Sequence, residues 1–164
     1  MKRTQKRKPV PRKAVKKPRS PLKRILVPID FSAASKNALN YALPFAKTFG
    51  AELILVHVVE PTVYPADFSF GHVGFPNIEE ELLKQSEVEL SRLAQQAGKH
   101  VPTRSYVRTG KAFLEITRVA EEEGADLIII ATHGYTGVEH ILFGSTTEKV
   151  VRKSPCAVLT VRTS

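Results

Sequence analysis

Residues 125–154 read ADLIIIATHGYTGVEHILFGSTTEKVVRKS. The stretch opens on a continuous apolar run, Leu127 to Ile130, which is the pattern of a strand buried on both faces in a parallel sheet covered by helices. The chain leaves that strand through Ala131-Thr132-His133-Gly134, passes Gly137, and reaches Gly144-Ser145-Thr146 ahead of a helical pattern over Glu148 to Lys153. Two turns of small, donor-rich residues therefore bracket one short segment.

The second turn has the chemistry of an anion seat. Ser145 followed three residues later by Glu148 is a capping-box pattern, which predicts a helix starting there with its first amides pointing outward. Free N–H groups, the positive end of the helix dipole and the hydroxyls of Ser145 and Thr146 together suit a phosphate. Gly134 and Gly144 carry no Cβ and let the backbone approach such a ligand closely. The plainer alternative is that Ser145 only caps a helix and the glycines only turn the chain.

Ala131, two residues, Gly134, nine residues, then Gly144-Ser145, set directly after a buried strand, resembles the nucleotide-binding signature of the universal stress protein family. That pattern is Gly, two residues, Gly, nine residues, Gly and a small hydroxylated residue. The phrase Thr132-His133-Gly134-Tyr135-Thr136-Gly137 and the closing Ser154-Pro155-Cys156-Ala157-Val158-Leu159-Thr160-Val161 are similar to the family as well. One position departs, since Ala131 stands where the fullest form of the signature has glycine.

Upstream, Ile25 to Asp30 predicts a first buried strand, which Pro28 ends because it has no N–H for the ladder. Ala33 to Phe49 carries a helical apolar stripe with Pro44 inside it as a predicted kink and Gly50 at its end. Glu52 to Val59 predicts the second strand. His57 near its carboxyl end is either a hydrogen-bonded structural histidine or a group that touches a ligand. Glu60 to Pro76 has no periodicity and is long for a connection, so it predicts a lid or an interface loop. A long helix runs from Asn77, as its cap, to Gly98; Val101 to Arg108 alternates as a third strand; Lys111 to Glu123 forms a helix ended by Gly124. Gly110-Lys111 lacks the upstream glycine and the following hydroxyl of a phosphate loop. The last helix reaches Lys153, and the final strand covers 157–162, with Cys156 expected as a buried small hydrophobe.

Strands and helices thus alternate through five strands, which specifies an α/β doubly wound parallel sheet with helices on both faces. The family resemblance implies the order 3-2-1-4-5 of the adenine nucleotide alpha hydrolase-like fold. Ligands in such sheets bind beyond the carboxyl ends of the strands where the winding reverses, here between the first and fourth. Asp30 and Ala131 are therefore expected to face each other across one crevice.

The first 24 residues are a separate object. They hold twelve of the 25 Lys and Arg and no acid, so the remainder carries 13 basic against 16 acidic side chains, and the formal net charge of +9 belongs to this segment. With four prolines and almost nothing apolar, residues 1–22 are expected as a disordered tail ahead of a domain at 23–164. Such a tail is either a solvating segment with weak nonspecific affinity or one that docks on nucleic acid or another anionic surface through charge alone, since no aromatic residue interleaves it to stack on bases. No run of about eighteen apolar residues predicts a membrane span. The single cysteine favours a reducing compartment, and the protein is expected in the cytoplasm.

Carried over by position, the resemblance implies ATP, with Mg2+ accompanying the nucleotide. Pro28 and Asp30 would border the adenosine, with Asp30 also placed to help hold the metal. Val58 and Ile130 would form the apolar wall of the adenine pocket. Ala131, Thr132, His133, Gly134, Tyr135 and Thr136 would wrap ribose and phosphates, and Gly144, Ser145 and Thr146 would present donors to the phosphate chain. For Asp30 the alternatives are an N-cap on the first helix or a salt bridge.

No lysine or arginine lies inside the signature and no Ser/His/Asp set can be assembled, so no catalytic residue is assigned and hydrolysis is expected to be slow at most. ATP then acts as an occupancy signal for a stress-response or signalling module. The resemblance also implies a homodimer through the apolar strand 157–162, at a sheet edge. The alternative function is an interaction protein without nucleotide, tethered by its basic tail. An adenylating or pyrophosphatase-type enzyme fits less well, because Asp30-Phe31-Ser32-Ala33 occupies the place of its Ser-Gly-Gly loop.

Overall fold

The computed structural model describes residues 22–61, 77–132 and 144–162, with the backbone alone at 77–79. Five strands and four helices alternate among them: β1 (Arg24–Pro28), α1 (Ala33–Phe49), β2 (Glu52–Val59), α2 (Asn77–Gly98), β3 (Thr103–Thr109), α3 (Ala112–Glu122), β4 (Leu127–Ala131), α4 (Ser145–Lys153) and β5 (Ala157–Val161). All strand pairs are parallel, in the order β3-β2-β1-β4-β5 expected above.

Burial on both faces follows from the unbroken aliphatic runs. Alternate residues of each central strand point to opposite helix layers. Ile25, Val27, Leu53, Leu55, Leu127 and Ile129 pack with Ala38, Leu39, Ala42 and Ala46 of α1 and Leu90, Leu93 and Ala97 of α2. Leu26, Ile54, Val56, Ile128 and Ile130 pack with Ile116, Val119 and Ala120 of α3 and Val150 of α4. Nine of the twelve largest fully buried side chains lie on β1, β2 and β4, and each contributes about 1.5–3 kcal/mol by leaving water. These three strands fix the frame, and the site sits at their carboxyl ends.

Several boundaries differ from expectation for identifiable reasons. Pro28 does close β1, although Ile29 N–H still donates to the Val56 carbonyl at 2.8 Å. Helix α1 runs through Pro44 without interruption and ends on left-handed Gly50. Asn77, expected as a cap, is the first residue of α2. β3 starts two residues late because Val101 N–H bonds back to the Ala97 carbonyl at 3.1 Å and its side chain completes the core under α2. Lys111 is the N-cap of α3 rather than its first turn, and Gly124 beyond its end is left-handed, φ 58°.

Cys156, expected to be buried, is half-buried just ahead of β5. Its N–H donates to Ser154 Oγ at 3.2 Å. The expected 60–76 loop beyond Pro61, the tail before Leu22, and His133, Gly134, Tyr135 and Thr136 lie outside the described residues. No helix among the described residues is long and apolar enough to cross a membrane.

Candidate functional site

A parallel sheet directs every strand's carboxyl end to one side, and the order β2-β1-β4 puts the exits of β1 and β4 side by side. A cavity of about 230 Å³ opens there. Its floor and one wall are Pro28 and Ile29 from β1, Val56 and Val58 from β2, and Ile130 from β4, closed by Ala112 and Ile116 of α3. The opposite wall is polar: Asp30 and Ser35 at the start of α1, the Ala131 end of β4, and Gly144, Ser145, Thr146 and Thr147 at the start of α4. Of the thirteen residues named from sequence, Pro28, Asp30, Val58, Ile130, Ala131, Gly144, Ser145 and Thr146 meet in this one cavity.

Asp30 is held by the turn that launches α1. Its Oδ1 accepts from Ser32 N–H at 3.0 Å and from the Ser32 hydroxyl, and Ser32 Oγ in turn accepts from Ser35 N–H at 3.1 Å. Ser32, not Asp30, is therefore the N-cap of α1. Phe31 between them takes a left-handed φ of 64°, a costly conformation for an aromatic residue. The reversal is braced from below, where the Phe31 ring lies 4.5 Å from the His57 ring and His57 Nδ1 is 2.7 Å from the Ile29 carbonyl. That carbonyl can only accept, so Nδ1 carries the proton, and His57 acts as a structural histidine outside the cavity lining.

The start of α4 differs from expectation. Gly144, with extended φ −65° and ψ 153°, is the N-cap; its carbonyl accepts from Glu148 N–H at 3.0 Å, and no described side chain caps the first turn. The capping box does not form because Ser145 is already the first helical residue, and Glu148 points along the helix to Arg152 at 2.9 Å. Among the described residues no side chain accepts from the first-turn amides, which border the cavity. At α3 the corresponding place is filled, since Glu60 Oε1 accepts from Ala112 N–H at 2.7 Å.

Two threads tie the start of α4 to the sheet. Gly144 N–H donates to the Thr132 carbonyl at 2.8 Å while Thr132 N–H donates to the Val161 carbonyl at 2.9 Å. Thr147 Oγ donates to the Ala131 carbonyl, also at 2.8 Å. Thr132, expected to wrap the ligand, is instead buried in this seam and is not among the lining residues.

Ala131 lines the cavity but packs with the α1 layer, whereas its neighbour Ile130 belongs to the α3 and α4 layer. The methyl that replaces the signature's glycine is thus on the far side of the sheet from α4. Sequence reasoning missed Ile29, Ser35, Val56, Ala112, Ile116 and Thr147. For Thr147 the signal was its i, i+3 spacing with Val150, which makes a core-facing stripe out of a polar residue.

Among the described residues no group of three or more His, Cys, Asp or Glu could hold a metal ion. Among the described residues Asp30 is the single charged side chain that lines the cavity. The arrangement offers an apolar slot for a flat ring system, a carboxylate at its rim and an open helix start for an anion.

A model of the universal stress protein family matches residues 21–162. A universal stress protein of Methanocaldococcus jannaschii is 34% identical over 147 residues, covering 85% of this chain and 82% of its own length. Among solved structures, the universal stress protein UspA from Lactobacillus plantarum shares the fold with a TM-score of 0.73 at 24% identity, over 85% of this chain and 97% of that one. A universal stress protein in complex with cAMP does so at 0.62 and 23% identity, over 87% and 98%. One from Archaeoglobus fulgidus in complex with dAMP does so at 0.59 and 19% identity, over 85% and 96%. With its strand order, its crevice and the match across nearly the whole folded region, this chain belongs to the universal stress protein family.

Proposed function

We propose that the chain binds ATP in the β1/β4 crevice and works as a nucleotide-responsive stress or signalling module. The observation that carries this reading is the pairing, in one cavity, of an apolar slot formed by Val56, Val58, Ile116 and Ile130 with the first turn of α4, which no described side chain caps. The slot suits adenine and the helix start suits phosphate. The complexes of related proteins with cAMP and with dAMP support an adenine nucleotide as the ligand class.

A magnesium ion would arrive with the nucleotide. One carboxylate facing a phosphate seat fits an ion that keeps several waters and takes the rest of its ligands from phosphate oxygens, and Asp30 is that carboxylate. Hydrolysis is slow at most. Among the described residues Asp30 is the one charged group on the lining, whereas fast phosphoryl transfer needs a cationic clamp and a residue that orients the nucleophile as well. Bound nucleotide therefore acts by occupancy, shifting the conformations of the segments around the crevice.

The module acts in the cytoplasm as a homodimer. β5 is an edge strand whose Val158, Leu159 and Thr160 are only half-buried, and an unpaired edge of this kind is matched by a second copy of the same strand. The dense positive charge of residues 1–24 supports a second partner, an anionic surface such as nucleic acid, joined at the amino end of β1 and so at the opposite end of the sheet from the crevice.

The test is calorimetric titration of ATP with magnesium into the purified protein and into Gly144→Val. Saturable binding that the variant loses supports the reading. Absence of heat and of thermal stabilisation in the parent, checked beforehand to be free of nucleotide, removes ATP and leaves the interaction module.

A further inference from the structure

We propose that Lys149 is the residue by which this chain distinguishes a nucleotide with a polyphosphate from a monophosphate. The inference rests on the nucleotide reading of the crevice. Lys149 Nζ lies 5.2 Å from the centre of the Phe113 ring, and Lys153 Nζ lies at 5.2 Å from the same ring. Both lysines therefore stand on the flank of α4 that faces α3. Thr146 is three residues before Lys149, one turn higher on that flank, and it lines the cavity. Phe113 is adjacent to Ala112, which lines the cavity from the α3 side. The Lys149 side chain therefore begins just below the floor between the two helix starts.

Helical side chains lean toward the N-terminus of their helix, so the flexible four-carbon stem of Lys149 rises toward the first turn of α4. The distance to climb is about 4.5 Å along the axis, three residues at the helical rise. The need for such a cation is plain from the lining. Asp30 is the one charged side chain among the described lining residues, and the magnesium ion it takes leaves part of a polyphosphate's negative charge without a cation. A single phosphate is served by the first-turn amides and the Ser145 and Thr146 hydroxyls; a longer chain extends beyond them.

The resting position on Phe113 is a shallow hold. Two ammonium groups share one ring and repel each other, so release of Lys149 to an anion relieves that repulsion while Lys153 keeps the ring covered. Lys153 is a turn further from the cavity and serves as the internal control.

Titrate ATP and AMP, each with magnesium, into the full-length wild type and into Lys149→Gln, Lys149→Arg and Lys153→Gln. The expected result is a loss of about fivefold in ATP affinity for Lys149→Gln, with AMP affinity unchanged, recovery in Lys149→Arg and no effect of Lys153→Gln. Equal ATP affinity in wild type and Lys149→Gln overturns the inference and leaves nucleotide binding standing, as does an equal loss for ATP and AMP. Failure of the wild type to bind either nucleotide overturns both.

Discussion

Thr147 Oγ donates to the Ala131 carbonyl at 2.8 Å, and both residues are 5% exposed. This one bond joins the last residue of β4 to the first turn of α4 and holds the helix start against the cavity. Thr147→Val keeps the shape and removes the donor, so it is expected to lower stability by about 1–3 kcal/mol, the cost of a buried acceptor losing its partner. Urea denaturation measures that loss, and nucleotide affinity should fall with it. Thr147→Ser restores both.

Ala131 occupies the signature's first glycine position with its methyl in the α1 layer beside Ile129 and Val161. Ala131→Gly therefore costs about 0.5–1 kcal/mol of stability, through lost packing and greater backbone freedom in a strand, and leaves nucleotide affinity unchanged. Calorimetry on the two proteins side by side checks it; a marked gain in affinity would mean that the methyl does reach the ligand.

The layer pattern behind that prediction was legible in the sequence, whereas the details at the ends of elements were not. Short runs rich in β-branched residues and bounded by turns, such as Leu127 to Ile130, read as doubly buried strands, and their alternation with amphipathic segments specifies an α/β sheet. Ser145 and Glu148 misled because their spacing fits a capping box equally at Ncap and N3 or one position further in, and the backbone at Gly144 decides between them. Signature membership does not say that Thr132 N–H and its carbonyl join the seam between Val161 and Gly144. Ala112 and Ile116 could not be placed at all, since their approach to the crevice depends on how α3 crosses the sheet.

At the amino end of β3, Arg104 makes a two-pronged pair with Glu52, at 2.6 and 3.1 Å, reaches Glu123 at 2.9 Å, and donates to the Tyr106 hydroxyl at 3.1 Å. The Tyr106 phenol is held above its ordinary value, first by its hydrogen bond with the Glu123 carboxylate and then by desolvation. The folded state thus holds that proton more tightly than the unfolded chain. Its contribution is fully present below about pH 10 and is lost as pH rises through the raised value. Urea stability measured from about pH 8 to about pH 11 should decline less steeply in Tyr106→Phe than in the wild type, because the variant has no proton there to lose.

Leu159 on edge strand β5 is half-buried against the α1 layer. In a dimer paired through β5, Leu159→Glu brings like charges together across the twofold, so the variant should sediment as a monomer where the wild type sediments as a dimer. Equal masses for the two proteins would remove β5 from the interface.

The most direct test of a nucleotide seated between β1 and β4 is a titration of isotope-labelled protein with ATP and magnesium, followed through backbone amide resonances. Ligand on the open turn of α4 moves the amides of Ser145, Thr146 and Thr147 most, with Asp30 and Val58 following and the β3 edge unmoved. Shifts confined to β3 and α2, or none at saturating nucleotide, would contradict the assignment of this crevice as the nucleotide site.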